Sequence, residues 1–500
     1  MTLLDNLQTG FAVALLPSNL ALAFIGCMVG TLIGVLPGLG PLATLAILLP
    51  ITFHFPAESA LIMLAGIYYG AQYGGSTTAI LVNLPGESSS AVTCIDGYQM
   101  ARQGRAGVAL ATAAYASFVA GTLATIVIAT LSIPLSRLAL MFGPADYFSL
   151  MLFGLVGATA LSSGSLLKSV GMILLGILLG TVGLDINSGI QRYTFELPAL
   201  MGGISFVALA IGLFGIADII NNLITGSFGS MATVKITSLW PTRDDLRRAC
   251  APTLRGTGIG ALLGILPGGG ALLSSFAAYA VERKISRSPE RFGKGAIEGV
   301  AGPEAANNAG AQTSFIPMLT LGIPSNAIMA VMVGALMLQG IAPGPQVMTT
   351  RPDLVWGLIA SMWVGNAMLL VINLPLIGLW VRLLQIPYTY LFPAILLFCC
   401  IGAYGVGNSA FDVFLAAGFG VLGFLLLRYG CPVAPLIMGF VLGPMLEENF
   451  RRAMIISSGD PILFVARPIS AIFLLATVLL VGTFFASSLW KHRKEVFNEA

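Results

Sequence analysis

Two strings of hydroxyl and amide side chains interrupt an otherwise apolar chain. The first runs from Gly74-Gly75-Ser76-Thr77-Thr78 to Asn83-Leu84-Pro85-Gly86-Glu87-Ser88, the second from Asn307-Asn308 through Gln312, Thr313 and Ser314 to Pro324-Ser325-Asn326. A lone Ser or Thr in an apolar helix usually bonds its own carbonyl one turn back. Clusters beside helix breakers have another use. A broken helix offers unpaired N–H groups and a positive dipole end at the start of its second half, so an anion can be held there without lysine or arginine. The expected chemistry is carboxylate recognition by Ser76, Thr77, Thr78, Asn83, Gly86, Ser88, Asn307, Asn308, Gln312, Ser314, Ser325 and Asn326. Glu87 and Glu304 lie in the same strings. A carboxylate at membrane depth is costly and marks function, so both are candidates for gating or coupling. The alternative is a carboxylate in water at a helix start.

The elements that must position these groups are broken helices. Gly30-Thr-Leu-Ile-Gly-Val-Leu-Pro-Gly-Leu-Gly-Pro41 recurs as Gly260-Ala-Leu-Leu-Gly-Ile-Leu-Pro-Gly-Gly-Gly-Ala271, at a constant offset of about 230 residues. Proline removes a backbone donor and glycine accepts positive φ, so helix stops at each Pro-Gly. Inside a bilayer, broken backbone survives only where protein or a wet cavity satisfies it, and paired interruptions in two halves point to a transporter's binding site. The carbonyls of Gly38, Leu39 and Gly40, or of Gly268, Gly269 and Gly270, are the expected ligands of a coupling cation. A second echo links Gly70-Ala71-Gln72 to Gly310-Ala311-Gln312 and Asn83–Glu87 to Gly322–Asn326, at an offset of about 240. Each half thus carries two interruptions.

Composition sets the class. The chain is 57% hydrophobic and 9% charged, with a mean hydropathy of +0.92. That is a polytopic all-α membrane protein, expected to have about 11–14 spans and half-spans in two related, inverted repeats with broken or re-entrant helices at the Pro-Gly motifs. The start Met-Thr-Leu-Leu-Asp-Asn lacks the basic opening of a secretory signal. Basic residues between Lys235 and Arg255, between Arg283 and Lys294, and in Lys491-His-Arg-Lys494 place the 235–255 loop and the C-terminus in the cytoplasm. Residues 256–281 lie between two of these basic segments, so they are read as a hairpin that enters and leaves by one face; a single tilted span is the alternative. The domains expected are a first repeat over 1–230 with its break near 37–40 and polar segment 74–90, a basic linker over 231–255, a second core over 256–350 with its break near 267–270 and polar segment 304–326, and scaffold over 351–500. Residues 107–217 read as scaffold and a surface for homo-oligomers. Residues 354–490 offer no evident chemistry, and 447–452 read as a solvated loop.

Enzymes are poorly supported. His54 and His492 are the only histidines, the six cysteines form no Cys-x-x-Cys pair, and no Gly-x-x-x-x-Gly-Lys-Ser/Thr string occurs. No cofactor is expected beyond a coupling ion, and a net charge of +3 spread over short loops gives no nucleic-acid patch.

The motifs resemble those of the large membrane subunit, TctA type, of the tripartite tricarboxylate transporters. The resemblance rests on Gly34-Val-Leu-Pro-Gly-Leu-Gly-Pro41, Tyr69-Gly-Ala-Gln-Tyr-Gly-Gly-Ser-Thr-Thr78, Asn83-Leu-Pro-Gly-Glu87, Asp96-Gly97, Glu298-Gly-Val-Ala-Gly-Pro-Glu-Ala-Ala-Asn-Asn308, Leu321-Gly-Ile-Pro324 and Gly340-Ile-Ala-Pro-Gly-Pro345. It implies a permease of the bacterial inner membrane that works with a small membrane subunit and a periplasmic solute-binding protein. It also implies uptake of a tri-, di- or aromatic carboxylate on a cation gradient, usually Na⁺, by alternating access. One stretch departs from the family: Ser325-Asn326-Ala-Ile-Met329 stands where relatives carry glycine and small hydroxyl residues, so citrate is not assumed. The competing readings are a passive anion channel and an intramembrane enzyme using Glu87, Asp96 or Glu304.

Overall fold

The computed structural model describes residues 2–36, 40–161, 165–185, 188–225, 236, 239–266, 270–384 and 388–498. Local chemistry sets the helix ends. Thr2 starts α1 (Leu3–Ala14) with a reciprocal cap to Asp5, and prolines at the first helical position start α2 (Pro17–Val35) and α3 (Pro41–Thr52). Helix α4 (Ala57–Val82) ends at Asn83, which takes the left-handed conformation at φ 58°. A 3₁₀ turn, Ser88–Ser90, leads into α5 (Ala91–Met100), and a wide turn at Ala101–Arg105 joins it to α6 (Ala106–Ala139). After α7 (Pro144–Leu161) and α8 (Leu166–Gly180) come the only strands among the described residues, Gly183–Leu184 and Gln191–Arg192, an antiparallel pair.

A short α9 (Phe206–Ala210) runs through a wide turn into α10 (Ala217–Thr225). Thr242 caps α11 (Arg243–Ile265) reciprocally with Asp245, and α12 (Gly270–Ile285) follows the break. Next are α13 (Glu298–Thr313), α14 (Phe315–Leu321), α15 (Ala327–Leu338), α16 (Val347–Thr350), α17 (Pro352–Asn373) and α18 (Ile377–Leu383). The chain closes with α19 (Tyr388–Gly407), α20 (Ala410–Arg428), α21 (Ala434–Ile456), α22 (Leu463–Ala466) and α23 (Pro468–Asn498). By length and composition five helical runs among the described residues can cross a bilayer, and six shorter apolar helices accompany them. The protein is an all-α polytopic membrane protein.

The core is built twice in the same way. Gly26, Gly30 and Gly34 of α2 lie against the carbonyls of Met63, Ile67 and Ala71 of α4; Gly256, Gly260 and Gly264 of α11 lie against those of Gly302, Ala306 and Gly310 of α13. Small residues every fourth position let the backbones touch, the packing available to helices in lipid, where apolar burial drives nothing. In each pair the numbers rise together, so the two helices run parallel. Helix α12 runs back along α13: Ser274 borders Gly310, Ser275 bonds the Pro303 carbonyl, and Glu282 borders Gly302. Helices α11 and α12 are therefore antiparallel, and Arg255 pairs with Glu282 at 2.7 Å near the open end. Arg243–Ile265 and Gly270–Ile285 thus form the two arms of a hairpin. Between the pairs, Ser76 meets Glu304 while Ile80 and Val300 share the space beside Gly97, so α4 and α13 cross in opposite directions.

Three segments differ from the sequence reading. The link after Asn83 is helical from Ser88 and buried at Ser90, Thr93 and Asp96; Asp96 accepts from Tyr279 Oη and from the N–H groups of Gly293, Gly295 and Ala296. Glu447–Arg452 is the last part of α21 instead of a loop, since Glu447–Arg451 and Glu448–Arg452 are i,i+4 ion pairs that favour helix. Much of the basic 235–255 segment is helix α11, started by Thr242, with Arg105 bound to Asp245 at 2.5 Å.

Candidate functional site

Both kinds of break open onto one cavity of about 520 Å³. Its wall is made by Gly40, Pro41 and Leu42, by Pro85 to Ser89, by Gly270, Ala271 and Leu272, and by Asn326, Ala327 and Ile328, with Tyr68 and Gln72 of α4 and Ala434 of α21. These are the first turns of α3, of the Ser88–Ser90 turn leading α5, of α12 and of α15. Four helix starts thus converge on one space. First-turn N–H groups have no partner within their own helix, and each start carries a partial positive charge. Among the described residues no Lys, Arg or His lines the cavity, and Glu87 is its one ionisable carboxyl.

The caps at the second pair of breaks match. Asn83 and Gly322 both take left-handed φ, 58° and 73°, to end their helices. A proline follows two residues later, and then an extended residue caps the next helix with its side chain. Glu87 accepts from the Ser90 N–H, and Asn326 from the Met329 N–H at 2.9 Å. Gly86 lies so close to the Gly34 carbonyl and the Gly75 backbone that a Cβ has no room there.

A polar belt crosses between the two units. Glu87, 8% exposed, accepts from Ser89 and from Asn307 Nδ2 at 3.2 Å, and Ser89 also donates to Gln72 Oε1 at 3.2 Å. Glu304, 1% exposed, accepts from Ser76 at 2.7 Å and from Thr93. Neither carboxylate has a basic partner among the described ion pairs; Glu87 stands at the start of the Ser88–Ser90 turn on the cavity wall, and Glu304 is one turn and more inside α13. Asn307 of the second unit thus reaches Glu87, and Ser76 and Thr93 of the first reach Glu304.

The remaining sequence candidates fall around this belt. Gly86, Ser88 and Asn326 line the large cavity. Ser76 and Thr77 line a smaller one beside Glu304. Thr78 donates to the Val35 carbonyl at the end of α2 at 2.8 Å, and Asn83 is an exposed helix end. Asn308 donates to Ser117 at 2.7 Å, Gln312 accepts from Thr125 at 2.7 Å, and Ser314 accepts from Asn326 at 3.2 Å while Ser325 donates to the Ser314 carbonyl. Gly40 and Gly270 line the large cavity; Gly38, Leu39, Gly268 and Gly269 lie outside the described residues.

Ser117, Thr125, Asn366 and Asn373 join the belt from helices α6 and α17, which sequence reasoning left as scaffold. Tyr73 donates to Asn366 at 2.9 Å. A signal existed for α17: two asparagines seven residues apart in an apolar span need partners.

A family model described as the tripartite tricarboxylate transporter TctA family matches residues 20–438. An Agrobacterium vitis protein described as an uncharacterized 52.8 kDa protein in the TAR-I ttuC' 3' region is 56% identical over 499 residues, 100% of this chain and 99% of its own. A second A. vitis protein, described as an uncharacterized protein in the TAR-II ttuC' 3' region, is 58% identical over 240 residues, 48% of this chain and 99% of its own. No solved structure matches the chain.

Proposed function

The chain belongs to the tripartite tricarboxylate transporter TctA family, a family of transporter subunits and not of enzymes, and on that premise we propose that it carries a small carboxylate across the bacterial inner membrane on a cation gradient, Na⁺ first among candidates. The convergence of four helix starts on a 520 Å³ cavity with no basic side chain among its described lining residues carries this reading. Each start is worth roughly 0.3–1 kcal/mol to an anion in an exposed setting and more when partly buried, so four together favour a carboxylate by a few kcal/mol. Such a site binds an anion and still releases it, which a buried lysine pair hinders.

Glu87 gives the cavity its coupling. An incoming carboxylate and an ionised Glu87 repel, so the solute binds best when Glu87 carries a proton or a cation. The parallel pairs α2–α4 and α11–α13 are the two repeats, and the opposite course of α4 and α13 supports their inversion in the membrane. Alternating access then moves this core against the outer helices. In keeping with the family, the solute is handed over by a periplasmic binding protein and the chain works beside a small membrane subunit, with the C-terminus and the open end of the α11–α12 hairpin in the cytoplasm.

The test is uptake of a panel of labelled tri-, di- and aromatic carboxylates into proteoliposomes holding the chain and both partners, with and without an inward Na⁺ gradient. Saturable, gradient-dependent uptake of one acid supports the reading. Flux that ignores the gradient and never saturates makes the protein a passive channel.

A further inference from the structure

Beside the large cavity lies a second, smaller space of about 10 Å³, about what a single water or an ion of that size needs. Its polar lining is Glu304 of α13, Tyr73, Ser76 and Thr77 of α4, Ser117 of α6 and Asn373 of α17, with leucine, isoleucine and alanine side chains making the rest; the Tyr73 hydroxyl is turned to Asn366. Ser76 and Thr93 each bond one oxygen of the Glu304 carboxylate.

Two features ask for an occupant. Glu304 is 1% exposed and has no cationic partner, and an ionised carboxylate so placed costs several kcal/mol unless its charge is met. Asn373, 5% exposed, spends its Nδ2 on the Leu369 carbonyl at 2.9 Å, which leaves Oδ1 buried with no partner on the wall of the same space. The Ser76 hydroxyl donates to Glu304 and that of Thr77 to the Tyr73 carbonyl, so the lone pairs of these oxygens, with Asn373 Oδ1, are left to a hard cation. A single carboxylate balances a single charge, whereas divalent sites recruit more carboxylates or keep several waters.

We propose that Glu304, Ser76, Thr77, Ser117 and Asn373 form a Na⁺ site, separate from the Pro-Gly breaks and from the carboxylate cavity. The proposal rests on the transport reading for its purpose, but its binding chemistry is independent of it. The site is wired to the cavity through both units. Gln72, one turn before Ser76 on α4, bonds Ser89, and Asn307, one turn after Glu304 on α13, bonds Glu87. A cation that draws α4, α6, α13 and α17 together therefore sets the position of Glu87 at the cavity wall.

The test is equilibrium binding of ²²Na⁺ to the purified full chain in nanodiscs, at constant ionic strength in choline chloride. Saturable binding that Glu304→Gln abolishes is expected. Asn373→Leu and Ser117→Ala should each weaken it about tenfold or more, as loss of a supporting ligand does at metal sites. Glu448→Gln, an exposed carboxylate on α21, should leave it unchanged. Should Glu304→Gln fail to fold, the Asn373 and Ser117 variants decide alone, and wild-type affinity in both overturns the site. Na⁺-driven uptake with undiminished ²²Na⁺ binding in Glu304→Gln overturns it too, as does uptake on a pH gradient with no ²²Na⁺ binding, which would make Glu304 a proton carrier. Saturable ²²Na⁺ binding lost in Glu304→Gln, in a protein that takes up no carboxylate, would keep the site and sink the transport reading.

Discussion

Asn83 and Asn326 stand at helix ends in the two corresponding strings, and their side chains have different work. Asn83 closes α4 in the left-handed region and is exposed, so its need is conformational. Asn83→Gly, free of the Cβ penalty, should keep uptake and the melting temperature at wild type or above, while Asn83→Val should cost roughly 1–2 kcal/mol in thermal unfolding. Asn326 caps α15 from the cavity wall. Asn326→Asp retains the cap on Met329 but sets a second carboxylate beside the solute. It should raise the uptake KM about tenfold or more with little change in melting temperature; Asn326→Ala should do the reverse, losing a cap worth about 1 kcal/mol. A KM unmoved by Asn326→Asp would take Asn326 out of the binding surface.

At the scale of elements, the α11–α12 hairpin has a natural reporter. Cys250 is exposed on α11, near the open end, and is the exposed one among the free cysteines. A membrane-impermeant maleimide should reach it from the cytoplasmic side alone, and a cysteine placed at Ser286, past the end of α12, should label from that same side. Labelling of the two positions from opposite faces would replace the hairpin with a single span. The hairpin's stability depends on Arg255, which binds both oxygens of Glu282 at 2.8 and 2.7 Å. Glu282 is 2% exposed, so Arg255→Ala strands a buried charge and should cost on the order of 2–3 kcal/mol in chemical unfolding, the lower part of the range because Arg255 itself is partly exposed. Arg255→Ala/Glu282→Leu should recover most of that loss.

For the whole molecule, the proposed symport gives the two buried carboxylates separate roles: Glu87 toward the solute, and Glu304 toward the cation. Glu87→Gln removes the repulsion at the cavity. In binding assays with the labelled carboxylate identified by uptake, the wild type should need Na⁺ to bind tightly, and Glu87→Gln should bind with a Kd that depends much less on Na⁺ while its gradient-driven accumulation falls. An unchanged Na⁺ dependence in that variant would move coupling away from Glu87.

Composition alone determined a polytopic helical membrane protein, because 9% charge over 500 residues cannot clothe a soluble surface. Local chemistry was equally legible. Single prolines and glycines stand inside several helices, but Pro beside Gly or Asn stops one, so the breaks near Pro37, Pro85, Pro267 and Pro324 and the caps at Asn83, Gly322 and Asn326 follow from neighbours in sequence. Which polar groups come together around the two cavities was decided only in three dimensions. Helix α4 is buried on nearly every side, so it has no polar face by which periodicity could tell Ser76, at Glu304, from Thr78, at the Val35 carbonyl. Ser117 and Asn373 lie far from either string, and only the crossing of α6 and α17 over α4 and α13 brings their oxygens to Glu304. A sequence fixes what each helix end can bind; the opposed packing of two similar units settles where the four ends meet.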